Sequence, residues 1–198
     1  EGSKPGSSVA AAYVTHRVIP LDGEGFGKIL RHTVRCCEYF FDALEEWREK
    51  VSPYVTVTPP IPPDSNLICL AINPVGNTSL AAMNRFGRQL FSHLNVDASK
   101  PIQQRDFIAS YTSLLHGALD ATRGEEILGE LGVSPTTFVP SAEVDAGEHG
   151  VLDDHIFILR HTLMNPWLMA EEDGANYIDR YLDTLEALIT ASLSPDGR

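Results

Sequence analysis

Few arrangements in these 198 residues could carry chemistry, and the first is an arginine in an unusual setting. Arg160 interrupts the most apolar run of the chain, Ile156-Phe157-Ile158-Leu159 before it and His161-Thr162-Leu163-Met164 after it. Burying an unpaired guanidinium costs on the order of several kcal/mol. Arg160 must therefore reach a strand edge, pair with an acid such as Asp153 or Asp154, or face a cleft and hold an anion. Its planar fork matches carboxylate geometry, which makes the cleft the functional reading and an ion pair the structural one. On a strand His161 points to the opposite face, where a packed histidine is commoner than a catalyst.

Three further features are weaker. Glu148-His149 and Asp153-Asp154-His155 gather the ligand types of zinc or iron. They straddle a glycine-bearing loop without helical or alternating spacing, so they read as a solvated entry to a strand and no metal is expected. Cys36 and Cys37 are adjacent; on a helix they point about 100° apart and cannot act as a pair. Cys37 falls on the apolar face and reads as core. Ser3, between Gly2 and Gly6 ahead of a helix, offers a hydroxyl and backbone N–H groups suited to a phosphate oxygen, although Ser/Gly loops before helices are common. No Ser-His-Asp or Cys-His arrangement can be assigned, and no glycine-rich dinucleotide or Walker loop is present.

Several elements must position these residues. Helical spacing runs from Ser7 to Ile19, with Ser7 or Ser8 as cap, and again from Phe26 to about Lys50. The second helix presents Phe26, Leu30, Thr33, Val34, Cys37, Phe41, Leu44 and Trp47 on one face, and Ser52-Pro53 ends it. The period then changes to two at 54–58. A proline cluster at 59–63 follows, then a buried strand over 66–73 and a helix capped by Asn77 or Thr78 with Leu80, Met83, Leu90, Phe91 and Leu94 inside. A strand is expected over 106–113. A long connection over 114–150 carries one short helix near 125–131, the strand over 155–164 follows, and a helix over 174–193 ends the series. The sum is an α+β domain, an antiparallel sheet with helices on one face, preceded by two helices that look borrowed from elsewhere. A domain boundary falls near residue 50.

Composition narrows the classes. With 15 basic and 27 acidic residues the formal net charge is -12, a poor match for nucleic acid or an anionic membrane surface. No apolar run approaches the roughly 20 residues that span a bilayer. Three cysteines make a poor disulfide framework, and a reducing cytoplasm is the simpler expectation. The opening residues lack an initiating Met and read as a loop inside a larger protein, so the chain is expected to be a C-terminal fragment.

Four stretches together carry a resemblance. These are Glu1-Gly2-Ser3-Lys4-Pro5-Gly6 before an Ala-rich helix; Pro20-Leu21 followed by Gly25-Phe26-Gly27-Lys28; Gly76-Asn77-Thr78-Ser79-Leu80 with Met83-Asn84; and Ile158-Leu159-Arg160 with Met164-Asn165-Pro166. Their order resembles the group II pyridoxal-phosphate-dependent amino-acid decarboxylases, most of all the bacterial tyrosine decarboxylases. The resemblance implies a fold type I enzyme, a cytoplasmic homodimer. Residues 1–50 would end the large cofactor domain and supply the connecting helix, and 51–198 would form the small C-terminal domain. In that family a lysine after a histidine carries pyridoxal 5'-phosphate, whose ring takes up the electrons left when the carboxylate departs. None of Lys4, Lys28, Lys50 and Lys100 follows a histidine. The cofactor lysine is therefore expected upstream, and this chain alone is expected to be inactive. Ser3 matches a serine that reaches the cofactor phosphate of the other subunit, Arg160 an arginine that approaches the substrate carboxylate, and His161 would touch the substrate side chain. Tyrosine is the first substrate expected, with glutamate, other aromatic amino acids and diaminobutyrate open. Two competing readings are a stand-alone α+β interaction module that binds a partner through its first two helices, and a metal-dependent hydrolase built on His149, Asp153 and His155.

Overall fold

The computed structural model describes residues 6–96, 101, 106–118, 120–139 and 154–194. Its elements run α1 (Gly6–Val18), α2 (Phe26–Val51), β1 (Val55–Thr58), β2 (Leu67–Pro74), α3 (Leu80–Leu94), β3 (Ser110–Leu115), α4 (Ala121–Leu131), β4 (His155–Thr162), β5 (Glu171–Glu172), β6 (Ala175–Asn176) and α5 (Tyr177–Leu193). The main sheet has the order β1-β2-β4-β3, antiparallel at every pairing. The expected α+β class with an antiparallel sheet is what forms. The short β5–β6 hairpin has no counterpart in the sequence pattern, because two-residue strands leave no periodic signal.

The central strand β4 is buried on both faces almost to its end, which explains its near-continuous apolar run. Phe157 and Leu159 share one core with Ile68, Leu70 and Ile72 of β2, the inner faces of α2 and α5, and Phe86, Leu90 and Leu94 of α3. Ile156 and Ile158 point the other way, into a second core with Ala71, Leu80, Met83 and Ile127, Leu128 and Leu131 of α4. Coverage by helices on one face only is thus corrected: α4 closes part of the second face. The polar signal around 114–150 hides it, since an eleven-residue helix needs only three apolar residues to seal a patch this small.

The buried stripe of α2 is Thr33, Cys36, Cys37, Phe40, Leu44, Trp47 and Val51. That is rotated from the expected face: Leu30 and Val34 are exposed. From Thr33 to Val51 the stripe advances mainly in steps of three and four, the spacing that keeps one side of a 3.6-residue helix against a flat partner. Trp47 Nε1 donates to the Leu182 carbonyl at 3.0 Å, and the Tyr39 hydroxyl donates to Asp179, tying α2 to α5. The caps differ by one or two positions from expectation. Ser79, not Asn77 or Thr78, caps α3, while Asn77 Oδ1 accepts from the Ser79 N–H. The third strand begins at Ser110, four residues later than its composition suggests.

One motif residue, Asn84, and a glycine one turn beyond it prove to be fold-makers. β2 pairs with β4 as far as Leu70↔Leu159, and from Ala71 onward it pairs with β1 instead. The β4 backbone beyond that fork would lack partners on one side. Asn84, fully buried, fills the gap: its Nδ2 donates to the His155 carbonyl at 2.7 Å and its Oδ1 accepts from Phe157 N–H at 2.9 Å. Gly87, one turn further along α3, lets the helix approach, since a Cβ there would stand 2.6 Å from the Phe157 ring.

At the other end, α1 and α2 meet in a tight turn. Phe26 N–H donates to the Pro20 carbonyl at 2.9 Å, Asp22 Oδ1 accepts from the N–H groups of Glu24 and Gly25, and a Cβ on Gly25 would fall 2.0 Å from Pro20 O. The Pro20…Gly25-Phe26-Gly27 pattern is therefore required by the turn itself. Beyond it α1 buries none of its residues, leaving Val9, Tyr13, Val14 and Val18 each more than half exposed. No helix among the described residues is long and apolar enough to cross a membrane.

Candidate functional site

Where β4 runs past the end of α4, its second face loses its cover. Ile158 is buried there, but Arg160, the next residue on that face, is exposed. Arg160 lines a cavity of about 360 Å³ bounded by the start of β3, the segment after β4 and the first turns of α5. Most of the wall is apolar: Phe40 from α2, Phe107 and Ile108 ahead of β3, Leu163 and Leu168, and Ile178 of α5.

Its inner wall is aromatic and dry. His161 is buried, with Nδ1 3.2 Å from the Ile68 carbonyl and Nε2 2.5 Å from the Tyr181 hydroxyl. A carbonyl can only accept, so Nδ1 carries the proton and Nε2 takes the one Tyr181 donates. Phe40 meets both rings edge-on at 5.5 and 5.9 Å, and Phe107 meets Tyr181 at 5.3 Å. Burial outweighs the backbone hydrogen bond and pushes the His161 pKa down to about 4. It pushes the Tyr181 hydroxyl up, so both stay neutral at physiological pH.

Arg160 has a different environment. Its Nε donates to Ser110 Oγ at 3.0 Å, and Ser110 Oγ donates to the Arg160 carbonyl at 3.0 Å. The two residues are direct cross-strand partners. A structural pair with Asp154 does not form: that carboxylate lies at the far end of β4, about 20 Å away along the strand, and takes the His155 Nδ1–H at 2.8 Å. Of the alternatives for Arg160, Asp153 lies outside the described residues, and the exposed position at a cavity is what the geometry provides. Arg160 and His161, on opposite faces of one strand, are both among the residues that line this cavity.

The other candidates fall elsewhere. Ser3, His149 and Asp153 lie outside the described residues. His155 has both ring nitrogens engaged, by Asp154 and by Arg88 Nη2 at 3.2 Å, and among the described residues no group of three His, Cys, Asp or Glu side chains is placed to hold a metal. Cys36 and Cys37 are both core; burial raises both thiols, Cys37 to about 11. Lys28 pairs with Glu24 at 3.2 Å and Lys50 with Glu186 at 2.6 Å, neither near the cavity, while Lys4 and Lys100 lie outside the described residues. The described residues therefore do not fit pyridoxal phosphate by themselves, since none at the cavity could carry it.

Reasoning from sequence misses Phe40, Phe107 and Ser110 as parts of the site. Phe40 and Phe107 are ordinary apolar residues until the strand end brings them together. Ser110 is legible only as a mid-strand residue, because the composition points to an earlier strand start.

Comparison with known proteins gives one consistent result. The family described as "Tyrosine decarboxylase, C-terminal" matches residues 36–193, from the middle of α2 to the end of α5. The L-tyrosine decarboxylase of Enterococcus faecalis (strain ATCC 700802 / V583) is 25% identical over 194 residues, 98% of this chain but 28% of the relative. That of Levilactobacillus brevis is 24% identical over 191 residues, covering 94% of this chain and 28% of the relative. That of Enterococcus faecium is 26% identical over 169 residues, 85% of this chain and 25% of the relative. The chain thus spans about a quarter of these relatives' length. The match takes in β4 with Arg160 and every other strand of the sheet, and the chain belongs to the tyrosine decarboxylase C-terminal family.

Proposed function

We propose that this chain is the C-terminal portion of a pyridoxal-phosphate-dependent carboxy-lyase that releases carbon dioxide from an amino acid, with tyrosine as first substrate. One observation carries the reading: an exposed arginine, held among the described residues through its Nε, lines an aromatic-walled cavity in a chain whose relatives are named L-tyrosine decarboxylase. A carboxylate bound there would take two parallel N–H···O bonds from the Nη groups, which have no partner among the described residues, an arrangement that orients as well as attracts. The apolar wall suits the uncharged remainder of an aromatic amino acid. His161, held as a neutral ring between Ile68 and Tyr181, would touch and shape that side chain; both its ring nitrogens are engaged.

In the complete polypeptide, a fold type I cytoplasmic homodimer by this reading, the missing portion supplies the cofactor lysine. Ser3 reaches the cofactor phosphate of the other subunit. Residues 1–50 close the large domain and connect it to 51–198, and the apolar side of α1 packs on that larger domain. The chain alone is inactive.

The test is Arg160→Ala in the complete enzyme. Removing a charge-assisted contact to the substrate carboxylate is expected to raise the KM for tyrosine by about ten- to a hundred-fold. An unchanged KM would remove Arg160 from the site.

A further inference from the structure

The hydroxyl of Ser110 both donates to and accepts from Arg160. It gives its only proton to the Arg160 carbonyl and offers a lone pair to Arg160 Nε, both at 3.0 Å. Backbone and side chain of one arginine are thus gripped by one atom of the neighbouring strand. Among the described residues the guanidinium has no other hydrogen-bond partner and no ion pair. An exposed arginine normally samples many rotamers, and fixing it costs entropy whenever a ligand binds.

We infer that Ser110 is a positioning residue for substrate binding, acting through Arg160; this rests on the carboxylate-binding reading above. A guanidinium can meet a carboxylate side-on, through Nε and one Nη, or end-on, through both Nη groups. With Nε held by Ser110 the side-on approach is closed, and only the end-on fork remains for the ligand. The serine therefore selects the direction from which a carboxylate docks and holds the fork ready before it arrives. Its location suits that role, because β3 is the edge strand next to β4 and Ser110 is its first residue, at the end that opens on the cavity.

The experiment is steady-state kinetics of the complete decarboxylase on tyrosine for four variants: Ser110→Ala, Ser110→Thr, Arg160→Ala and the double variant Ser110→Ala/Arg160→Ala. Ser110→Ala should raise KM about five-fold with kcat within about two-fold. Ser110→Thr keeps the hydroxyl on a strand-favouring residue and should restore KM. Because the serine acts through the arginine, adding Ser110→Ala to Arg160→Ala should change nothing further. If Arg160→Ala raises KM but Ser110→Ala does not, or if the two effects simply multiply in the double variant, the positioning role is overturned while the Arg160 reading stands. If Arg160→Ala leaves KM unchanged, both fall.

Discussion

The Tyr181 hydroxyl donates to His161 Nε2 at 2.5 Å inside a shell of aromatic rings, so that a titratable base is sealed in the neutral state beneath an exposed arginine. This contrast divides the work of two adjacent residues on one strand. Arg160 stays in contact with solvent, while His161 is dry and loses its charge.

The sealed histidine gives a pH signature. Burial brings the His161 pKa from 6.5 down to about 4. Between those values an unfolded chain holds the proton and the folded one does not, so stability rises with pH across that window. The contribution is complete above about pH 6.5, is lost as pH falls toward 4, and amounts to about 3 kcal/mol at most. Urea unfolding midpoints measured from pH 7.5 to 4 should show this slope, and His161→Gln should flatten it. The same slope in the variant would assign the acid sensitivity to other groups.

Asn84 stands in for a missing strand. Asn84→Ala leaves the His155 carbonyl and the Phe157 N–H buried and unpaired, at a cost of about 2–4 kcal/mol. Equilibrium unfolding reads that loss directly, and hydrogen exchange should quicken more at the Phe157 amide, which donates to Asn84, than at the β3 amides. A loss below about 0.5 kcal/mol would mean that water or a shifted β2 replaces the side chain.

The cysteines should be silent. Cys36 and Cys37 are buried and their thiols are held above the ordinary range by desolvation, with Cys37 also raised by Glu38. A thiol reagent at pH 7.5 should leave both unmodified in the folded protein and label them once urea is added. Rapid native labelling at either position would show that α2 lifts from the sheet.

What is legible in the sequence follows from how each signal arises. β4 and α5 can be read because long periodic runs survive any local detail. Gly25 and Asn84 register only by resemblance, and Gly87 not at all, since their reasons lie in three dimensions: Gly25 and Gly87 make room for Pro20 and Phe157, and Asn84 bridges a fork between strands. Arg160 stands out because a charge in an apolar run demands an explanation. Ser110 does not, because a serine in a strand demands none until its partner is seen. The α2 stripe misleads at Leu30 and Val34, which are as apolar as any core residue but stay exposed in this chain.

The most direct measurement compares carbon dioxide release from carboxyl-labelled tyrosine, with pyridoxal phosphate supplied, by the complete polypeptide and by residues 1–198 alone. Release by the complete polypeptide and none by the shorter chain is the expected result. Release by residues 1–198 alone, or no release from any amino acid by the complete polypeptide, would contradict the proposal that this domain contributes a carboxylate-binding arginine to an active centre whose cofactor is held elsewhere.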